Sequence, residues 1–306
     1  MEIDLIRELI SVQRWNHDLP LSERRGWYDR AEEAFGADVS VEVEPVTAGG
    51  RPAEWLRPRA APGPTTFLYL HGGAYALGSP RSHRHLAGAI AEAADASALV
   101  LDYRLSPEHP FPAAVEDAVS AYLWLLDSGV SPRDVVVAGD SAGGCLTVAL
   151  MTELRDKGAP PPAAGVCISP WTDLTFAGDS HASKADSDPV LNTPDLRRMA
   201  ALYLDGEDPR NPLASPVFAD LAGLPPLLVQ VGSEEVLLDD ARELARRATA
   251  AGVSVRLEEW RDMIHVWHWY FPLLREGRDA ISSIAEFARS HAGAPGGSQL
   301  LARGGR

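Results

Sequence analysis

The chain has 306 residues, of which 45% are hydrophobic and 23% are charged, the composition of an ordinary globular protein. Its formal net charge of −15 argues against nucleic acid as a partner, because an acidic surface repels a phosphate backbone. No apolar run reaches the roughly 18 residues of a membrane span, and the first residues are acidic, unlike a signal peptide. Cys145 and Cys167 lie in apolar segments, which indicates buried free thiols, so we expect a cytoplasmic protein without stable membrane insertion.

Segments that favour strands alternate with segments that favour helices over most of the chain. Short apolar or alternating runs predict strands at 39–43, 53–57, 65–70, 98–103, 135–137, 164–169, 227–231 and 254–260. Helical spacing or helix-terminating residues predict helices within 1–36 and at 81–94, 112–129, 146–155, 239–251 and 276–291. This alternation predicts a mostly parallel sheet with helices on both faces, whose ligands bind beyond the carboxyl ends of the strands.

One long segment interrupts this alternation. Between Trp171 and about Pro216 no strand is predicted, and the composition becomes polar and rich in proline. An insertion of this length in a compact domain usually has a function, so we expect it to form part of a lid.

The residues Gly139-Asp140-Ser141-Ala142-Gly143 fit the pattern G-x-S-x-G of a nucleophile elbow. An apolar strand precedes the motif and a helical segment follows it, which is the context that the elbow requires. Small flanking residues permit a tight, strained turn that exposes the serine hydroxyl at the N-terminus of the helix. The alternative is a strand-to-helix turn without chemistry.

A serine nucleophile needs a general base, usually histidine, and a carboxylate that orients this base. Four histidines follow the serine: His181, His265, His268 and His291. We favour His265 over His268, because His265 lies nearer the end of the last predicted strand. The alternative for either is an interfacial histidine among aromatic residues.

The carboxylate should follow the penultimate strand, near Gly232. Four carboxylates lie there: Glu234, Glu235, Asp239 and Asp240. Glu235 is the first choice because it lies in the loop itself, and Asp239 is the second. Asp239 and Asp240 open a predicted helix, where an N-cap role is the simpler interpretation of one of them.

A serine that attacks a carbonyl group also needs two or more backbone N–H groups that stabilise the oxyanion of the tetrahedral intermediate. The residues after the strand at 65–70 include Gly72, Gly73 and Ala74, and glycine lets the backbone approach a substrate. We expect the N–H groups of Gly73, Ala74 and Ala142 to form the oxyanion hole, with Gly72 shaping the loop. A glycine turn without a role is the alternative.

Together these motifs resemble the bacterial hormone-sensitive-lipase-like branch of the α/β-hydrolases. The matching segments are His71–Tyr75, Asp102–Pro110, Gly139–Gly144, Ser169–Asp173 and Met263–His265. The segment 231–239 is similar to esterases and to monoterpene ε-lactone hydrolases. The resemblance implies an α/β-hydrolase fold with a helical cap and hydrolysis of carboxylic esters without a cofactor. It also implies a cap made of residues 1–36 and of the insertion at about 171–216 in a catalytic domain spanning 37–292. The composition of residues 293–306, which begin Gly-Ala-Pro-Gly-Gly-Ser, predicts a disordered tail.

Two departures from the family pattern bear on the site. The family usually has the motif His-Gly-Gly-Gly, and in this chain its fourth position is Ala74, which still offers its N–H. Glu235 and Val236 stand where many relatives carry Asp-Pro, and glutamate can reach the same histidine through a longer side chain.

Several other residues near the motifs have more than one interpretation. Tyr75, Trp171, Met263 and Trp267 flank the motifs and could line an acyl pocket or simply belong to the core. His83 and His85 without a carboxylate or cysteine partner favour a solvated helix over a metal site, and no metal is expected. Arg104 and Glu108 are predicted to form a structural ion pair.

The sequence therefore predicts a serine esterase that acts on short to medium acyl esters, with Ser141, His265 and Glu235 as its triad. One alternative is a lactone hydrolase that uses the same mechanism. Another is a small-molecule receptor on the same fold, against which the presence of both Ser141 and His265 argues. A homodimer is possible.

Overall fold

The computed structural model describes residues 2–13, 19–35, 41–60 and 62–293 of the chain. Its centre is an eight-stranded sheet in the order β1-β2-β4-β3-β5-β6-β7-β8. The strands are β1 Val41–Ala48, β2 Arg51–Pro58, β3 Thr66–Leu70, β4 Ser97–Leu101, β5 Val135–Asp140, β6 Ala164–Ile168, β7 Leu227–Gly232 and β8 Val255–Trp260. β1, β2 and β4 pair antiparallel, whereas β3 to β8 pair parallel. The expectation of a mostly parallel sheet is confirmed.

Helices cover both faces of this sheet. They are α1 Glu2–Gln13, α2 Leu21–Phe35, α3 Pro80–Ala93, α4 Ala113–Asp127, α5 Ala142–Asp156, α6 Ser180–Ser183, α7 Thr193–Leu204, α8 Leu238–Ala250 and α9 Arg275–His291. On one face, α1, α3 and α9 share a core around Ile6, Leu86 and Ile284. On the other face, α4 and α5 pack around Leu125 and Leu146, and α8 lies beside them. The strands β3 to β7 are buried because both faces are covered, which is why their sequences are nearly continuous apolar runs.

The two parts of the predicted cap lie next to each other. The insertion contains α6 and α7 and no strand, as expected. Arg24 of α2 binds both carboxylate oxygens of Asp195 on α7, at 2.8 and 3.2 Å. The boundaries of the cap remain a prediction, and its residues 1, 14–18 and 36 lie outside the described residues, as do residues 294–306 of the predicted tail.

Candidate active site

The predicted nucleophile lies at the sharp turn between β5 and α5. Ser141 has φ 53° and ψ −117°, a conformation that L-residues rarely adopt. A Cβ atom on Gly143 would lie 1.8 Å from the carbonyl oxygen of Leu70, and one on Gly139 would lie 2.3 Å from the carbonyl oxygen of Gly143. Glycine is therefore required at both positions for steric reasons, as the motif predicts.

The structure brings Glu235 and His265 together. Glu235 Oε2 lies 2.8 Å from Nδ1 of His265. Its other oxygen, Oε1, accepts hydrogen bonds from the Gly232 N–H at 2.6 Å and from the Ser169 hydroxyl at 2.7 Å. Burial alone would lower the pKa of His265, but the hydrogen bond and the charge of Glu235 outweigh it, and the pKa is raised. The histidine has the partner that a general base requires.

The competing candidates have other partners. Nε2 of His268 lies 2.8 Å from the side-chain oxygen of Gln230, and burial lowers the pKa of His268 to about 3. Asp239 accepts a hydrogen bond from the Ser180 N–H at 2.8 Å, and Asp240 accepts one from the Thr172 N–H at 2.8 Å. Glu234 forms an ion pair with Lys184 at 3.4 Å.

The expected N-cap role of Asp239 or Asp240 is wrong. α8 begins at Leu238, its N-cap position is occupied by Leu237, and this cap makes no side-chain hydrogen bond. Both aspartates lie in the first turn instead, where their carboxylates bind backbone N–H groups of the insertion. The tertiary contacts of the insertion have replaced local capping.

The turn after β3 has the conformation that exposes backbone donors. Gly73, Ala74 and Tyr75 all have positive φ, at 114°, 52° and 59°. Among the described residues, the N–H groups of Gly73, Ala74 and Ala142 donate to no protein acceptor. The N–H of Gly72 differs, since it donates to Asp140 Oδ1 at 3.1 Å. It therefore cannot serve the oxyanion as well, which fits the loop-shaping role expected for Gly72.

The aspartate of the elbow motif organises a buried polar network that the sequence did not reveal. Asp140 accepts a hydrogen bond from the Tyr69 hydroxyl at 2.8 Å, and its Oδ2 lies 3.4 Å from Nε2 of His83. Nδ1 of His83 lies 2.8 Å from the Ser82 hydroxyl. The network joins the elbow to α3 and to the turn after β3.

The expectation of a solvated helix for His83 and His85 is therefore wrong. Both side chains are buried, because α3 packs against the sheet and the ring of Trp269 lies against both imidazoles. Among the described residues, no group of three metal-ligating side chains comes together.

The predicted ion pair between Arg104 and Glu108 is also wrong. Arg104 binds Asp117 at 2.8 Å and Glu116 at 3.0 Å, both on α4. Glu108 instead binds Arg25 of α2 at 2.7 Å. All three partners lie on helices, outside the motif that contains Arg104 and Glu108.

The four predicted pocket residues are all buried. Tyr75, Trp171, Met263 and Trp267 are 0 to 2% exposed. A small cavity of about 20 Å³ lies beside His265, and none of the four lines it. Its other lining residues are Tyr28, Asp140, Val190, Val266, Trp269 and Tyr270. A larger cavity of about 390 Å³ lies between the insertion and α8, away from Ser141 and His265.

Comparisons with known proteins agree with this geometry. A family profile described as the alpha/beta hydrolase fold matches residues 67–269. The chain belongs to the α/β-hydrolase family. It is 56% identical to an acetyl-hydrolase of Streptomyces hygroscopicus, over 95% of this chain and 97% of the relative. It is 34% identical to an esterase of Acinetobacter venetianus, over 86% of each chain.

A solved structure places the chain more narrowly. An esterase from the bacterial hormone-sensitive lipase family is 48% identical, with a TM-score of 0.93 over 95% of this chain and 98% of that one. The resemblance to this branch is confirmed, and so is the expected class, a carboxylesterase-like hydrolase. None of the helices that the structure describes is long and apolar enough to cross a membrane.

Proposed function

We propose that the protein hydrolyses short-chain carboxylic esters with Ser141 as nucleophile, His265 as general base and Glu235 as the residue that orients His265. The observation that carries this proposal is the 2.8 Å contact between Glu235 and Nδ1 of His265. These residues follow β7 and β8, and Ser141 follows β5, so all three lie beyond the carboxyl ends of parallel strands.

In the first half of the reaction, the Ser141 oxygen attacks the ester carbonyl while its proton passes to Nε2 of His265. The N–H groups of Gly73, Ala74 and Ala142 stabilise the negative oxygen of the tetrahedral intermediate. The intermediate then collapses, His265 protonates the leaving alcohol, and the acyl group remains on Ser141. Water repeats the sequence and releases the acid, so serine, histidine and water account for every bond and proton without a cofactor.

Two observations support a short acyl group. The cavity beside His265 has a volume of only about 20 Å³ and is lined in part by the aromatic rings of Tyr28, Trp269 and Tyr270, which leaves room for a small group only. The relative at 56% identity is named an acetyl-hydrolase. Lactones react through the same intermediate and remain the second candidate substrates.

The decisive test combines covalent labelling with a substrate series. A fluorophosphonate should label Ser141 stoichiometrically, and Ser141→Ala should abolish both labelling and turnover. We expect p-nitrophenyl acetate to be hydrolysed faster than butyrate and far faster than palmitate, with a lactone panel measured alongside. Labelling at another serine, or at none, would favour the receptor alternative.

We also infer a cytoplasmic location and allow for a homodimer. The location is supported by Cys145 and Cys167, both of which are buried free thiols. Sedimentation analysis would settle the oligomeric state.

A further inference from the structure

A second buried carboxylate lies near the triad. Asp188, in the loop between α6 and α7, is 7% exposed. Its Oδ1 accepts hydrogen bonds from the N–H groups of Val190 at 2.9 Å and Leu191 at 3.0 Å. Its Oδ2 reaches out of the loop and accepts the N–H of Val236 at 3.0 Å. Among the described residues, no lysine or arginine forms an ion pair with Asp188.

The residue that Asp188 holds is the one directly after Glu235. The insertion also binds the carbonyl group of Val236, because the Ser180 hydroxyl donates a hydrogen bond to the Val236 carbonyl oxygen at 2.6 Å. Lys184 adds an ion pair to Glu234. The loop that carries Glu235 is thus attached to the insertion at the residues before and after it.

Charge links Asp188 to the triad as well. Burial raises the pKa of Asp188 to about 6, the nearby His265 opposes this rise, and Glu235 adds to it. In return, the charge of Asp188 is one of the causes that raise the pKa of His265. Tyr270 is a further titratable neighbour, whose pKa Asp188 helps to raise. A buried carboxylate without a cationic partner costs folding free energy, so packing alone gives no reason for an aspartate here.

We propose that Asp188 is a positioning residue for the reaction at Ser141, because its carboxylate fixes the Glu235 loop through the Val236 N–H. The inference rests on the proposed function. It adds a residue of the insertion to the groups on which catalysis depends, although Asp188 touches no reacting atom.

The test is Asp188→Asn. The amide oxygen can still accept from Val190 and Leu191, but the amide nitrogen then faces the N–H of Val236, donor against donor. We expect kcat on p-nitrophenyl acetate to fall by about ten- to a hundredfold, the range that a small misplacement of catalytic groups can cost, with KM nearly unchanged. The acid limb of kcat/KM should move to lower pH, because His265 loses a neighbouring negative charge.

Stability separates this role from a merely structural one. Because the pKa of Asp188 in the folded protein lies above its unfolded value, its ionisation costs stability at pH 7. Asp188→Asn removes this cost but also leaves the buried N–H of Val236 without its acceptor, and because the two effects oppose each other Tm should stay nearly unchanged. Asp186→Asn, an exposed aspartate in the same loop, is the matched control and should behave like the wild type.

Two results would overturn the inference. One is a wild-type kcat and an unmoved acid limb in Asp188→Asn. The other is a loss of activity that comes with a lowered Tm and an unmoved acid limb. If Asp188→Asn does not fold, the wild-type acid limb decides the matter: it should be steeper than one ionisation, and a single-proton slope would refute the role. Fluorophosphonate labelling of the wild type at Ser141 tests the proposed function separately.

Discussion

The substitution Glu235→Gln tests the proposed orienting role of the carboxylate. Glutamine keeps the shape of the side chain and an oxygen that can accept from the Gly232 N–H and the Ser169 hydroxyl. It replaces Oε2 by an amide nitrogen, which then faces Nδ1 of His265 where the 2.8 Å contact lies. To avoid two opposed donors, the imidazole must carry its proton on Nε2, and it then cannot accept the proton of Ser141.

The size of the effect follows from the corresponding change in a serine protease, where loss of the orienting carboxylate lowers kcat by about 10⁴. That factor corresponds to about 5 kcal/mol of activation free energy. The effect on stability should be much smaller. Glu235 is fully buried, two of its three hydrogen bonds survive, and the third is kept in the reverse direction, with the amide nitrogen donating to Nδ1 of His265. We expect Tm to change by only about 2 to 4 °C, the equivalent of about 1 kcal/mol.

The assay is kcat on p-nitrophenyl acetate, with Tm measured on the same preparations. Asp239→Asn is the matched control, since asparagine keeps an oxygen for the Ser180 N–H, and it should retain wild-type activity. The reasoning fails if Glu235→Gln keeps more than about a tenth of the wild-type kcat, well above the loss expected from the protease. An inactive Asp239→Asn beside an active Glu235→Gln would instead move the orienting role to Asp239.

Three further predictions follow from the site. Because Glu235 helps to raise the pKa of His265, the acid limb of wild-type kcat/KM should lie above pH 6.5, and it should move to lower pH in Glu235→Gln. The raised pKa also stabilises the folded protein below pH 6.5, and this stabilisation is lost as the pH rises through the folded-state pKa of His265. Gly143→Ala should either not fold or have a free energy of unfolding, measured by thermal denaturation, that is lower by more than about 4 kcal/mol. Gly26→Ala in α2 is the control and should be tolerated, because the new Cβ atom meets only a side-chain atom at 3.5 Å. Tyr28→Ala should raise the butyrate-to-acetate ratio of kcat/KM by enlarging the cavity beside His265; an unchanged ratio would place the acyl pocket elsewhere.

Local signals explain which parts of the fold could be predicted. The run Val135–Val137 lies in β5, fully buried in the sheet, and the glycines after it permit the turn at Ser141. The pair of Glu235 and His265 is predicted by the order of the triad along the chain, which in this fold is serine, acid, histidine. The two residues are 30 positions apart, so no local pattern could show their contact.

The errors arise where a distant segment changes the environment of a residue. The polar spacing around His83 and His85 is typical of a solvated helix, but burial of this face depends on the aromatic turn that contains Trp269, more than 180 residues later. Arg104 and Glu108 are close in the motif, but each finds a carboxylate or guanidinium on a different helix. In both cases a tertiary contact with a distant segment, and not the local pattern, determines the environment of the side chain.

Asp188 is the most instructive of these long-range effects. In the sequence it is one acidic residue among several in a polar insertion, and nothing nearby sets it apart from Asp186. Only the tertiary structure distinguishes the two, because one carboxylate is exposed and the other accepts the N–H next to Glu235, 48 positions away. If catalysis depends on that bond, then the insertion holds the proposed acid of the triad in place. Exchanging the insertion for a relative's should then lower kcat unless a carboxylate at this position is kept.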